Sequence, residues 1–348
     1  GQMGGQGGGM IDGWSVARAL TDPASVARLD AAGWTRLLSA ARALSLIGTL
    51  AEIMTDQPLP YPAARVLADV RLSNAAGLRQ ALWEAECAQM ALAGYPGRVV
   101  LLKGTAFAAA GLDAAIGRSI GDLDILVARE GLDQVEAMLL ASGWEWVKPD
   151  PYDDAYYRQW MHELPPLIHA ERDRMIDVHH TILPLTAGPK PDAAALIADA
   201  RELPSGLYVL SPADMICHAA AHLIADGDLS GGMRNLWDID RLVRQFSSED
   251  PDFGDALAER ARLHQLTAPV ARALRLAHRL FDTPAIWPIR PGVADALFLR
   301  RITAVDGWGR KTRKLTRQGF YIRSHLLRMP PAMLARHLWT KWRKGHRG

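Results

Sequence analysis

Only two cysteines occur in 348 residues, Cys87 and Cys217, and they stand far apart. Without the paired spacing of a zinc knuckle, a redox motif or a disulfide framework, both are expected to be buried, reduced thiols. No run approaches the roughly 18 to 20 uninterrupted apolar residues that a membrane-spanning helix needs, and no charged-then-apolar leader suggests export. The expectation is a cytoplasmic protein with no membrane span. Internal repeats are lacking too. Acidic residues are missing from positions 310 to 348, which carry 12 Lys and Arg, so the formal net charge of +2 conceals an acidic remainder of 28 basic against 38 acidic residues. A basic segment of this kind meets nucleic acid, an anionic membrane surface, an acidic peptide or only solvent.

With 49% hydrophobic and 22% charged residues the composition is that of an ordinary globular protein, long enough for two or three packed units. The opening GQMGGQGGGM, residues 1 to 10, reads as a flexible leader or expression remnant. Residues 11 to 95 read as an N-terminal helical region, because apolar residues recur at three and four spacing through WTRLLSAARALSLIGTLAEIM and AAGLRQALWEAECAQMALAG. Pro58, Pro60 and Pro62 place a loop between the two groups.

The pattern changes at RVVLLKG, residues 98 to 104, a short apolar run ending in Lys and Gly as a buried strand leading into a turn would. An Ala-rich helix over Thr105–Leu112 and a strand in GDLDILV, residues 121 to 127, are predicted next, then a helix over Leu132–Leu140. LPPLIHAER and RMIDVHHTI read as strands pairing across Glu171 to Arg174. Helices resume at Ser211, an N-cap followed by Pro212 at the first helical position. The expected units are a core at 96–205, a helical domain at 206–309 and the basic tail at 310–348.

In a strand, Asp122 and Asp124 share a face roughly 7 Å apart, and two carboxylates so placed call for a cation. A lone Asp-x-Asp also fits a solvent-facing edge strand. Upstream, LLKGT puts Gly104 and Thr105 at a strand-to-helix turn able to cradle phosphate, with Lys103, Arg118 and Ser119 as further donors.

VVLLKGTAFAAAGL followed by RSIGDLDILV resembles the nucleotidyltransferases of the DNA polymerase β-type superfamily, in particular a bacterial branch with LKG, then Arg, then an Asp-x-Asp strand. The resemblance covers residues 75 to 185 and, more loosely, LSPADMICHAAAH and RNLWDIDRLV. It implies an α+β fold with a small mixed sheet. It also implies Gly104 and Thr105 at the nucleotide-binding turn, Asp122 and Asp124 as metal ligands, and a third acid on a later strand, taken as Asp177 in MIDVHH. Gly-Thr stands where Gly-Ser is commoner, and the gap from turn to acidic pair is longer than in the compact pattern of the superfamily.

On this reading Mg²⁺, or Mn²⁺, and a nucleoside triphosphate, ATP or GTP, meet at Asp122, Asp124 and Asp177. Lys103, Gly104, Thr105, Arg118 and Ser119 bind the nucleotide. A nucleotidyl or phosphoryl group passes to a hydroxyl of a small molecule, peptide or protein. Nucleic acid is not the expected acceptor, for want of a recognisable binding module. The rival is a non-catalytic, antitoxin-like or regulatory partner-binding protein that keeps the fold.

His179 shares the face of Asp177 and reads either as a cleft residue supporting a ligand or as a satisfied edge histidine. His218 and His222, four apart, have zinc spacing but no catalytic Glu between them, so one buried and one cleft-facing histidine is expected. His162 and His169 show no ligand pattern. Arg234 and Asp238 read as an intrahelical ion pair or as part of a helix closing over the nucleotide. The 11 Trp are scattered, as core or interface anchors would be.

Overall fold

A computed structural model describes residues 10–147 and 150–345, the side chains of Asp226, Lys341 and Lys344 aside. The leader therefore lies outside the described residues except for Met10. Four helices lead in: α1 (Gly13–Thr21), α2 (Ala31–Ala43), α3 (Ile47–Ile53) and α4 (Tyr61–Ala91). Asp12 and Asp30 cap α1 and α2 by accepting hydrogen bonds from backbone N–H groups of the first turn. The proline cluster ends where α4 begins, with Pro62 in its first turn, where a missing N–H costs nothing.

Seven short strands follow: β1 (Val100–Leu101), β2 (Leu123–Leu126), β3 (Trp144–Trp146), β4 (Leu167–His169), β5 (Met175–His179), β6 (Arg201–Glu202) and β7 (Tyr208–Val209). They form one mixed sheet in the order β3-β4-β5-β2-β1-β7-β6. β2 lies at its middle, antiparallel to β1 and parallel to β5. All four β2 residues are buried, which explains why the apolar positions of this strand are filled by Leu and Ile. β4 and β5 make the expected hairpin, with Leu167 opposite Ile176.

Helices α5 (Lys103–Ala109), α6 (Leu132–Ala141), α7 (Pro151–Trp160) and α8 (Ala193–Ala198) connect the strands. After the sheet come α9 (Pro212–Ala220), running into a π-helical turn at Ala221–Asp226, then α10 (Gly232–Glu249), α11 (Phe253–Leu263), α12 (Thr267–Phe281), α13 (Asp295–Ile302), α14 (Lys314–Arg328) and α15 (Pro331–Gly345). Ser211 caps α9 from its side chain and Pro212 opens it, as the sequence predicts. Trp237 of α10 meets Phe281 of α12 edge to face, with ring centroids 5.1 Å apart, in the core of this helical part. The fold is thus α+β, with a small mixed sheet between helical regions.

Several local expectations are corrected. The strand expected over residues 98–104 is only two residues long, because α5 already starts at Lys103. The polar and aromatic stretch from Trp144 to Trp160, for which no element is predicted, contains β3 and α7; Asp150 caps α7 and Pro151 opens it. The basic segment forms α14 and α15. Among the tryptophans only Trp34, Trp144 and Trp237 are buried, whereas Trp14, Trp83, Trp146, Trp308, Trp339 and Trp342 are exposed, so most are not core anchors. Cys87 and Cys217 are buried and unpaired. No helix among the described residues is long and apolar enough to cross a membrane.

Candidate active site

The parallel pairing of β2 and β5 sets Asp124 opposite Asp177. Paired residues of neighbouring strands point to the same side of a sheet, so two carboxylates from segments 53 positions apart face one space. Asp122 lies in a bend one residue ahead of β2 and is exposed, whereas Asp124 is buried. The three acids thus step from solvent into the sheet.

Asp124 is held from two sides. Lys103 Nζ donates to its Oδ1 at 2.7 Å, and His179 Nε2 approaches the same oxygen at 2.9 Å. Burial opposes ionisation of Asp124, but the His179 hydrogen bond and the Lys103 charge outweigh it and keep the carboxyl well below its ordinary value. A carboxylate only accepts, so the proton of the shared bond resides on His179 Nε2. Burial likewise works against the Lys103 ammonium, and Asp124 more than offsets it, so its pKa is raised. Asp177 goes the other way: burial first, then the neighbouring carboxylates of Glu163 and Asp124, push it up to about 7.

The turn into α5 differs from the expected one in detail. Lys103 itself, not Gly104, takes the left-handed conformation, with φ +53°. A non-glycine residue held there stores strain of about 1 to 3 kcal/mol. Gly104 is required for another reason: a Cβ on it would lie 2.3 Å from Arg118 Nη1. Thr105 is buried in the same turn.

Arg118 is positioned from the helical side. Its Nε donates to Asp238 Oδ2 at 3.1 Å, and Asp238 Oδ1 accepts from Arg234 Nη2 at 2.7 Å. Arg234 Nη1 in turn reaches Thr49 Oγ1 at 2.6 Å. The Arg234 and Asp238 pair is therefore buried and braces Arg118, unlike a solvated intrahelical pair. The loop before Arg118 is fixed by Gly117, with φ +67°, whose added Cβ would fall 2.5 Å from Gly48 O; Asn74 Nδ2 donates to Gly117 O at 3.0 Å.

Lys103 and Arg118 share a cavity of about 80 Å³ with Phe107, Met215, Asn235 and Asp238. His218 and His222 line it too, the first buried and the second exposed, as expected of the pair. Its volume is smaller than the roughly 300 Å³ at which small-molecule pockets begin, so it has room for only part of a drug-sized ligand. Ser119 is not brought to this cavity; it lines a separate groove of about 600 Å³ against α3 and α4.

Sequence reasoning missed two groups. Asp238 was legible as a partner of Arg234, but its grip on Arg118, 120 positions away, is a product of the fold. His162, read as lacking a ligand pattern, lies with Glu163 and His179, because Glu163 bridges to His179 as a strand would. Hard oxygen donors such as Asp122, Asp124 and Asp177 fit Mg²⁺ or Mn²⁺, and the reluctance of Asp177 to ionise beside two other carboxylates is the condition a cation relieves.

A small mixed sheet that gathers carboxylates on one face, beside a strand-to-helix turn bearing cations, agrees with the nucleotidyltransferase fold that the sequence resemblance implies. The chain belongs to the family described as uncharacterised nucleotidyltransferase, whose model matches residues 30–282. It is also similar to the CC-adding tRNA nucleotidyltransferase of Deinococcus radiodurans, with 30% identity over 223 residues, 58% of this chain and 52% of the relative. The chain thus spans about half the length of the curated relative it matches.

Proposed function

We propose that the protein transfers a nucleotidyl group from a nucleoside triphosphate, ATP or GTP, to a hydroxyl acceptor with the help of Mg²⁺. The observation that carries this reading is the pairing of Asp124 with Asp177 across β2 and β5, beside Lys103. Asp122, Asp124 and Asp177 would hold the ion, which when bound supplies charge neutralisation of phosphate and activation of the acceptor hydroxyl. Lys103 and Arg118 bind phosphate oxygens and stabilise charge that grows on them during transfer. Gly104 lets the Arg118 guanidinium lie against the first turn of α5. Attack at the terminal phosphorus instead would make the same residues serve a kinase.

The acceptor is a hydroxyl of a small molecule, a peptide or a protein in the first reading. A polynucleotide acceptor is the second, favoured by the name of the Deinococcus relative and by the 12 Lys and Arg after position 309. Binding of ATP, GTP, CTP and UTP with and without Mg²⁺, by the native chain and by Asp122→Asn plus Asp124→Asn, tests the core of the reading. Metal-dependent binding that collapses in the double variant supports it. Well-folded protein that binds no triphosphate sinks it in favour of a partner-binding role. RNA binding whose affinity falls steeply with salt would select the polynucleotide acceptor.

A further inference from the structure

His179 has two nitrogens with opposite surroundings. Nε2 lies 2.9 Å from Asp124 Oδ1 and, against a carboxylate, is the donor; in the neutral tautomer protonated there, Nδ1 carries the lone pair. That Nδ1 lies 3.4 Å from Glu163 Oε2, in a side chain 3% exposed, and finds no hydrogen-bond partner among the described residues. A lone pair facing a carboxylate oxygen is repulsive unless something positive lies between them. His162 brings Nε2 to 3.8 Å from the same oxygen, and its own Nδ1 is also buried with no hydrogen-bond partner among the described residues.

The ligating atoms of His162, Glu163 and His179 all lie within 4.8 Å of one another. Metal bonds of about 2.0 to 2.2 Å in a tetrahedral array separate ligand atoms by roughly 3.3 to 3.6 Å. The observed 3.4 and 3.8 Å are within a few tenths of an ångström of that. A ligating histidine usually gives its other N–H to a carboxylate, as His179 does to Asp124.

We infer that His162, Glu163 and His179 form a binding site for a divalent transition-metal ion, with Zn²⁺ the best match to two imidazoles and one carboxylate. It occupies the edge of the His179 ring away from Asp124 and uses none of the three aspartates assigned to Mg²⁺. It therefore stands whether or not the chain transfers nucleotides. Its role is positional. It ties residues 162–163 to β5 and, through the His179 ring, fixes the orientation of the Asp124 carboxylate.

The test uses the full chain, stripped of metal with a chelator and titrated with Co²⁺ as a spectroscopic probe. One equivalent giving the visible bands of a tetrahedral nitrogen and oxygen site is expected. His162→Ala and Glu163→Gln should each weaken Co²⁺ binding by at least ~10-fold, whereas Asp122→Asn plus Asp177→Asn should leave the bands in place. Bands that survive in His162→Ala and vanish in the aspartate double variant would overturn the inference and leave the nucleotidyltransferase reading intact. Equal, weak binding by folded native and variant chains would also overturn it, making His179 an imidazolium bridge between Asp124 and Glu163. Should a variant fail to fold, X-ray absorption of the Zn²⁺-loaded native chain decides: imidazole nitrogens in the coordination shell support the site, and oxygens alone refute it.

Discussion

Arg118 Nε donates to Asp238 Oδ2 across 3.1 Å, joining the loop ahead of β2 to helix α10. Asp238→Asn removes a charge that holds the guanidinium over the cavity while leaving the backbone unchanged. The expected result is a KM for triphosphate raised roughly tenfold to a hundredfold, with a smaller change in kcat. Steady-state kinetics with saturating Mg²⁺ check it. An unchanged KM would show that Arg118 needs no brace.

Two glycine substitutions should separate binding from stability. Gly104→Ala meets the far end of the Arg118 side chain, which can swing away, so triphosphate affinity should fall with little loss in melting temperature. Gly117→Ala meets the backbone of Gly48 and forces a left-handed φ on a residue with a Cβ. A loss of about 2 to 5 kcal/mol is expected there. Chemical denaturation of both variants distinguishes the two causes.

Proton and metal should compete at Asp177. Its folded pKa, pushed up to about 7, lies above that of an unfolded aspartate, so folded protein without metal binds an extra proton between about pH 4 and 7. The stability linked to this group is full below about pH 4 and is lost as pH rises through 7. Mg²⁺ favours the ionised form, so its apparent affinity should fall up to about tenfold for each pH unit below 7. Calorimetric titrations at pH 6, 7 and 8 should show proton release on binding, and Asp177→Asn should abolish it.

Asp214 has the opposite linkage. Burial disfavours its charge, but hydrogen bonds from His264 and Arg260 prevail and lower its pKa. Its stabilising contribution is present above the unfolded carboxylate value and is lost as pH falls through the folded one. Asp214→Asn should therefore cost about 3 to 5 kcal/mol at pH 7, with the gap between variant and native narrowing below about pH 4. Urea melts across that range would reveal a constant gap if the assignment were wrong.

The α+β class, the β4–β5 hairpin and the family were legible because each rests on local signals: apolar runs, a turn rich in charge, and a spaced motif. Asp124 and Asp177 were readable one at a time, and only sheet order made them neighbours. β3 and α7 were missed because WEWVKPDPYDDAYYRQW has too little apolar periodicity, and for β3 the pairing with β4 supplies what pattern does not. Glu163 escaped notice because PPLIHAER drew attention downstream, while a single bridge to His179 gives the preceding residue pair its place. Ser119 shows the converse, since adjacency to Arg118 in sequence carried it to another groove.

Lys103 is anchored to the sheet through Asp124, while Arg118 is anchored to α10 through Asp238. The two cations proposed to meet phosphate therefore answer to different supports. On the proposed reading, a displacement of α10 would alter the span between them while leaving Lys103 on Asp124, so a grip on triphosphate would tighten or slacken like a calliper against fixed acids.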